Sequence, residues 1–207
     1  MTITDSAIIL SRESWREADK RACFFTLHHG KLEAIAVGAH KIKSKLAGHL
    51  EPLRAVEVMF AEGARGFKIA QCVTRHNFFD AASANFFRAR ALGTLARFVN
   101  RVMEFHHCDA IMYEFLFRAL AEIQSVPVDA IDQAVGQQLY KLAEHCGYAP
   151  EFNQCVVCGK RERLTRFCAA LGGVICADER VNDRVAHFDG AKSYEHVYTF
   201  LKWRHLV

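Results

Sequence analysis

Polar and apolar residues change their rhythm once along this chain, close to residue 77. Before that point, short runs of strand-forming residues alternate with turn residues. Residues 7–11 are a brief apolar run, and residues 21–27 carry Phe24, Phe25 and Thr26, side chains that suit a pleated surface. His29-Gly30-Lys31 supplies a turn, after which Leu32, Ala34, Ala36 and Gly38 alternate with Glu33, Ile35 and Val37. Residues 53–61 and 66–74 form a further pair across the turn-like Glu62-Gly63-Ala64-Arg65. Five short strands in about 70 residues predict a small barrel, and the five-stranded OB-fold is the commonest version that binds nucleic acid. Residues 41–50, between the third and fourth strands, are expected to form a helical turn or a loop.

After Asn77 the period becomes helical. Phe87, Ala91, Leu95, Phe98, Val102 and Phe105 recur at three- and four-residue spacing and predict one face of a long helix. Met112, Phe115, Leu116, Ala119, Leu120 and Ile123 predict a second. Ser125-Val126-Pro127 interrupts the pattern. Val128, Ile131, Val135, Leu139, Leu142 and Cys146 restart it, and Gly147 closes that third helix as a C′ glycine would. Such stripes are core packing, not a cofactor box. Residues 150–185 are loop-rich, and residues 193–207 predict one short final helix. The fold class is therefore α+β: a barrel domain over residues 1–76, then an all-helical domain over 77–207 with a cysteine-rich loop at about 150–185.

Charge sharpens this division. Residues 1–76 hold 12 Lys/Arg against 8 Asp/Glu, whereas residues 77–207 hold 15 against 15, so the whole formal excess of +4 sits in the barrel. A basic front on a neutral rear suggests that the front meets a polyanion. Lys41, Lys43 and Lys45 alternate through the third connection, which in an extended segment puts three ammonium groups on one side. With Arg12, Lys31 and Arg54 they can line a groove that follows phosphates without reading sequence. Ser44 adds a hydroxyl, and Phe24 and Phe25 are candidates for base stacking. The bland alternative for the lysine strip is a solvated loop. His28-His29 and His106-His107 read as surface or helix-end pairs, not as ligands.

The apolar runs are too short to cross a bilayer, which needs about 20 residues, and the opening MTITDSAIIL lacks a basic signal-peptide region. The protein is expected in the cytoplasm, associated with the nucleoid, with its eight cysteines reduced. Cys23, Cys72, Cys108 and Cys146 are scattered among apolar neighbours as small core residues. Cys155, Cys158, Cys168 and Cys176 fall within 22 residues and call for a separate explanation.

The string SRESWREADK, then Thr26, then GKLEAIAVGAHKIKSKLAGHLEP resembles the opening of the RecO family. The matching features are Ser11-Arg12, Glu17, Asp19, Gly30-Lys31, Ala34, Ala36, Gly38, Lys41, Lys43-Ser44, Leu46, Gly48 and Leu50-Glu51-Pro52. CGYAPEFNQCVVCGK resembles that family's entry into a zinc loop and LGGVIC its exit. The likeness covers roughly residues 6–60 and 139–180, in family order. It implies a non-enzymatic recombination mediator of RecF-pathway DNA repair, with no catalytic residues. Such a protein binds single- and double-stranded DNA, anneals complementary strands, and partners with RecR and the C-terminal tail of single-strand-binding protein to help load the recombinase. No Walker loop, G-x-S-x-G, H-E-x-x-H or dinucleotide fingerprint is present in the sequence. The competing readings are a generic OB nucleic-acid module, with RNA as a possible ligand, and a zinc hydrolase. The hydrolase lacks the H-x-E or C-x-E acid/base motif.

Cys155-Val156-Val157-Cys158-Gly159 is a zinc-knuckle half, two thiolates on one tight turn. The family closes its site with a second C-x-x-C, but here Cys176 is followed by Ala177-Asp178-Glu179, so a carboxylate stands where the fourth sulfur is expected. The expected structural zinc ligands are Cys155, Cys158, Cys176 and Glu179, with Cys168 as the alternative fourth ligand and Asp178 and His187 as outside candidates. Loss of the metal is the other alternative. The resemblance also implies more helix after the loop than the 27 residues that follow Arg180 provide, either a natural short form or a truncated one.

Overall fold

A computed structural model describes residues 2–41, 44, 46, 48–64, 66–78, 85–188, 190 and 193–207. Five strands, β1 (Thr2–Trp15), β2 (Asp19–Thr26), β3 (Gly30–Ala36), β4 (Arg54–Gly63) and β5 (Gly66–Asn77), close into a barrel of order β1-β2-β3-β5-β4. All neighbours are antiparallel except β3 and β5, which meet in parallel at Ala34–Phe67 and Ile35–Lys68. β1 is far longer than its apolar run suggests, because it serves two partners. Its first half pairs with β4 and its second with β2, with a bulge between Ile9 and Ser11 where it bends.

Alternation along β1 and β2 explains why both strands read as unbroken apolar runs. Ala7, Ile9, Ala22 and Phe24 point into the barrel core with Leu32, Val58 and Phe60, and the Phe24 ring meets Phe60 edge-on at 5.2 Å. The intervening residues face helices. Phe25 packs 6.2 Å from Tyr113, and the Cys23 thiol lies 3.4 Å from the Asn100 amide oxygen. Both phenylalanines are fully buried, so the expectation that they stack on bases is corrected.

Helix α1 (Phe86–Val102) starts at Asn85, whose side chain accepts the Arg88 N–H at 3.1 Å. Helix α2 (Ala110–Ser125) starts in the same way, with Asp109 accepting from Met112 at 2.8 Å. The buried face of α1 runs through Leu92, Leu95, Phe98 and Val99, whereas Phe87 and Phe105, read as the ends of that stripe, are exposed. Phe105 lies beyond the helix, as do His106 and His107, which belong to the connection and not to the helix end.

By compactness the chain divides into two units, residues 1–125 and 126–207. The second begins with a 3₁₀ turn (Val128–Ala130) and α3 (Ile131–His145). Gly147, at φ +72°, ends α3 in a Schellman motif: its N–H donates to Glu144 and that of Tyr148 to Ala143. Residues 150–185, read as loop, contain β6 (Leu164–Cys168) and β7 (Gly173–Cys176), which with β8 (Ala186–His187) form a sheet of order β7-β6-β8. Helix α4 (Ser193–Trp203) crosses α3 so closely that a Cβ on Gly136 would lie 2.4 Å from the Tyr194 Cβ. Among the described residues no helix is long and apolar enough to cross a membrane.

Candidate nucleic-acid interface and candidate metal centre

Of the six basic residues expected to meet phosphate, Lys41 is exposed on the β3–β4 connection and makes no ion pair with a described residue. Lys43 and Lys45 lie outside the described residues. Arg12 and Arg54 both reach that same connection. The Arg12 guanidinium contacts one Glu51 oxygen through Nε at 2.9 Å and Nη2 at 2.8 Å, and Arg54 donates to the Gly48 carbonyl. Part of their charge is therefore engaged in shaping the loop, and a phosphate at Arg12 would have to displace Glu51.

Lys31 is employed otherwise, which corrects its place in the strip. It is buried, its Nζ donates to the carbonyls of Asn100 at 2.6 Å and Met103 at 3.0 Å, and it lies 4.5 Å from the Phe105 ring centroid. These carbonyls end α1, so the ammonium caps a helix C-terminus where the macrodipole favours a cation. The strand can come this close because Gly30, at φ +69°, has no Cβ; one would lie 2.2 Å from the His107 carbonyl oxygen.

Asp5 was not legible as a functional residue. Its buried carboxylate accepts from both imidazoles of the β2–β3 turn, His28 Nδ1 at 2.8 Å and His29 Nδ1 at 2.7 Å, and from the His28 N–H at 3.0 Å. Burial works to raise its pKa, but these donors outweigh it and hold the carboxyl below the usual range. The histidine pair is thus a strand-to-turn latch.

In the second unit the thiols of Cys155, Cys158 and Cys176 all lie within 4.8 Å of one another, a group that can hold a metal ion. The Cys158 and Cys176 sulfurs are 3.7 Å apart. Two elements bring them together: the knuckle, where Gly159 takes φ +75° and donates to the Cys155 carbonyl, and the end of β7. Burial raises the Cys155 thiol, but amides of Cys176, Cys158 and Val157 facing its sulfur outweigh that and bring it down to about 7. At Cys158 the Lys160 amide pulls the other way, yet desolvation, the two neighbouring thiols and the Glu179 carboxylate push it up to about 11. Glu179, expected as the fourth ligand, is thus close enough to act on Cys158 but lies outside the group of three thiols.

Cys168 ends β6 opposite Gly173 and is fully buried in the same apolar cluster as Cys155, Ile175 and Cys176, but its sulfur is not one of the three that converge. Asp178 is occupied by Lys160 at 3.2 Å and Arg163 at 2.8 Å, and His187 is exposed on β8. Arg166, which spacing gave no reason to single out, donates to the carbonyls of Cys176 and Glu179 and so fixes the turn that presents both side chains.

The Recombination protein O N-terminal family model matches residues 1–78, and the C-terminal model of the same family matches residues 84–188. The chain belongs to the RecO family. Relatives named DNA repair protein RecO include one from Thermoanaerobacter sp., 30% identical over 199 residues, spanning 95% of this chain and 77% of the relative. One from Caldanaerobacter subterraneus subsp. tengcongensis is 29% identical over 196 residues, spanning 95% and 78%. One from Streptomyces griseus is 31% identical over 188 residues, spanning 86% and 74%. The RecO N-terminal match spans the whole barrel with its basic connection, and the C-terminal match spans α1 to α3 and the three-thiol group.

Proposed function

We propose that this RecO-family chain acts in DNA repair as a recombination mediator. It binds single- and double-stranded DNA through the β3–β4 connection, anneals complementary strands, and works with RecR on DNA coated by single-strand-binding protein. The supporting observation is Lys41, an exposed cation on a connection that Arg12 and Arg54 also reach. A flexible ammonium holds phosphate without demanding a base, as an annealing protein requires. Replacing Lys41, Lys43 and Lys45 together by Ala is expected to weaken DNA binding uniformly across sequences. The slope of log affinity against log salt should flatten by about two to three units. An unchanged slope at unchanged affinity means that the strip is a solvated loop. Annealing of coated strands separates a mediator from a generic nucleic-acid module.

The three thiols suit a thiophilic ion, and in this reading the ion is a structural zinc completed by Glu179. Zinc there would pin the knuckle to β7 and take no part in DNA chemistry.

A further inference from the structure

At one end of the barrel, the β1–β2 turn, the end of β3 and the start of β5 enclose a cavity of about 390 Å³. Its walls are apolar, formed by Ile35, Val37 and Phe67 beside the Trp15 ring, and Val37 is 58% exposed at the mouth. The rim is cationic. Arg16 and Lys68 are both exposed, and neither makes an ion pair with a described residue. The acidic residue at the rim, Asp19, already accepts the Gly38 N–H at 2.8 Å. Among the described residues one donor here lacks a partner: the Trp15 indole Nε1 is shut off from water and hydrogen-bonds no described atom, while the Arg21 guanidinium covers the ring at 4.3 Å.

The cavity also joins the basic strip. The His40 N–H donates to the Ala18 carbonyl at 2.9 Å, and the Lys41 side chain lies along Gly38. The start of the β3–β4 connection is therefore fastened to the turn that forms the cavity rim.

Apolar walls, a cationic rim and an orphan N–H together describe a flat heterocycle with carbonyl acceptors that is joined to phosphates. We propose that this cavity receives an unpaired nucleobase of a single strand, with Arg16 and Lys68 on the flanking phosphates. A small movement of the rim then gives the Trp15 N–H an acceptor on the base. The inference rests on the DNA-binding reading above and deepens it: the lysine strip holds backbone, and the cavity holds a base. A duplex cannot fill it without unstacking, so the site discriminates strandedness.

The test uses the full chain carrying Trp203→Phe, which leaves Trp15 as the sole tryptophan. The probes are an oligothymidylate and an abasic deoxyribose-phosphate chain of equal length. The expected result is a change in Trp15 fluorescence with oligothymidylate alone, and affinity about five-fold or more above that for the abasic chain. Val37→Phe, which fills the mouth without touching the barrel core, should remove that preference and leave abasic affinity unchanged. Trp15→Phe, which keeps a ring but removes the N–H, should reduce it. If both probes bind equally with a silent Trp15, or Val37→Phe keeps the preference, the cavity inference is overturned while DNA binding stands. If neither probe binds, the DNA reading falls and takes the cavity with it.

Discussion

The Lys31 ammonium donates to the Asn100 carbonyl oxygen at 2.6 Å, tying the start of β3 to the last turn of α1. A lysine that binds DNA and one that caps a helix respond differently to substitution. Lys31→Met is expected to cost about 1.5–3 kcal/mol of folding stability, because two buried carbonyls lose a charged donor. The salt slope of DNA binding should not change. Denaturant melts and salt titrations on the same preparation check both halves; a flattened slope at unchanged stability would return Lys31 to the phosphate strip.

Asp5 links stability to pH. Its folded-state pKa is depressed, so its contribution is present above the unfolded value and is lost as pH falls through the folded one. The affected window lies below about pH 4. Its charge is felt nearby as well: burial first, then Asp5 and Glu114, push the Tyr113 phenol up to about 12. Asp5→Asn is expected to lower stability at pH 7 by about 2 kcal/mol, through weaker bonds to His28 and His29. It should also remove part of the acid-induced loss between pH 4 and 2. Parallel pH profiles for the two proteins would contradict the latch.

The barrel was readable because strand and turn chemistry are local: Phe24, Phe60 and the Gly63–Gly66 hairpin follow from period and turn residues alone. Gly147 was readable for the same reason, since a Schellman cap is a local motif. Lys31 and Asp5 were not, because their roles depend on partners 69 and 24 residues away that no spacing rule connects. A buried lysine on a strand and an exposed one in a loop are the same letter. In the cysteine loop, the three sulfurs were legible from the knuckle and the family's exit motif. The Leu-Gly-Gly turn after Cys168 also marks a hairpin, which is observed, but it pairs Cys168 with Gly173 and not with Cys176. The strands' bounds were not legible, since β6 and β7 are too short and mixed to show alternation.

A groove of about 230 Å³ between α3 and α4 is lined by Gly136, Tyr140, Lys141, Phe152, Tyr194 and Val197. Aromatic walls with one lysine suit an acidic, apolar peptide such as the C-terminal tail of single-strand-binding protein, a partner proposed for this chain. A labelled tail peptide is expected to bind the full chain saturably at low salt, and Lys141→Glu should weaken it about ten-fold. Tail binding that is indifferent to Lys141 would place the site elsewhere.

Two side chains compete for the fourth metal position. Cys155, Cys158 and Cys176 already converge, whereas Cys168, buried in one cluster with Cys155, Ile175 and Cys176, pairs opposite Gly173 and is not among them. Cys168 sits at the Gly173 end of the β6–β7 hairpin, whereas Cys176 pairs with Leu164 at the other end, so recruiting Cys168 would distort the hairpin. Recruiting Glu179 needs a carboxylate that already acts on the Cys158 thiol to turn toward the other two. Arg166 holds the backbone of Glu179 in place for that turn. Protein purified without chelator is therefore expected to carry about one zinc per chain, and Cys155→Ser should lose it. Glu179→Ala should weaken zinc retention about ten-fold or more, whereas Cys168→Ala should retain zinc and cost only packing stability, about 1 kcal/mol. Elemental analysis with competition against a chelator decides between them. Zinc that survives Glu179→Ala but not Cys168→Ala would reverse the assignment. Wild type that stays metal-free after refolding with zinc would show three thiols held by packing alone. Removing the metal should loosen the knuckle and the Cys176–Glu179 turn. DNA affinity, proposed to reside in the barrel, should be left largely intact.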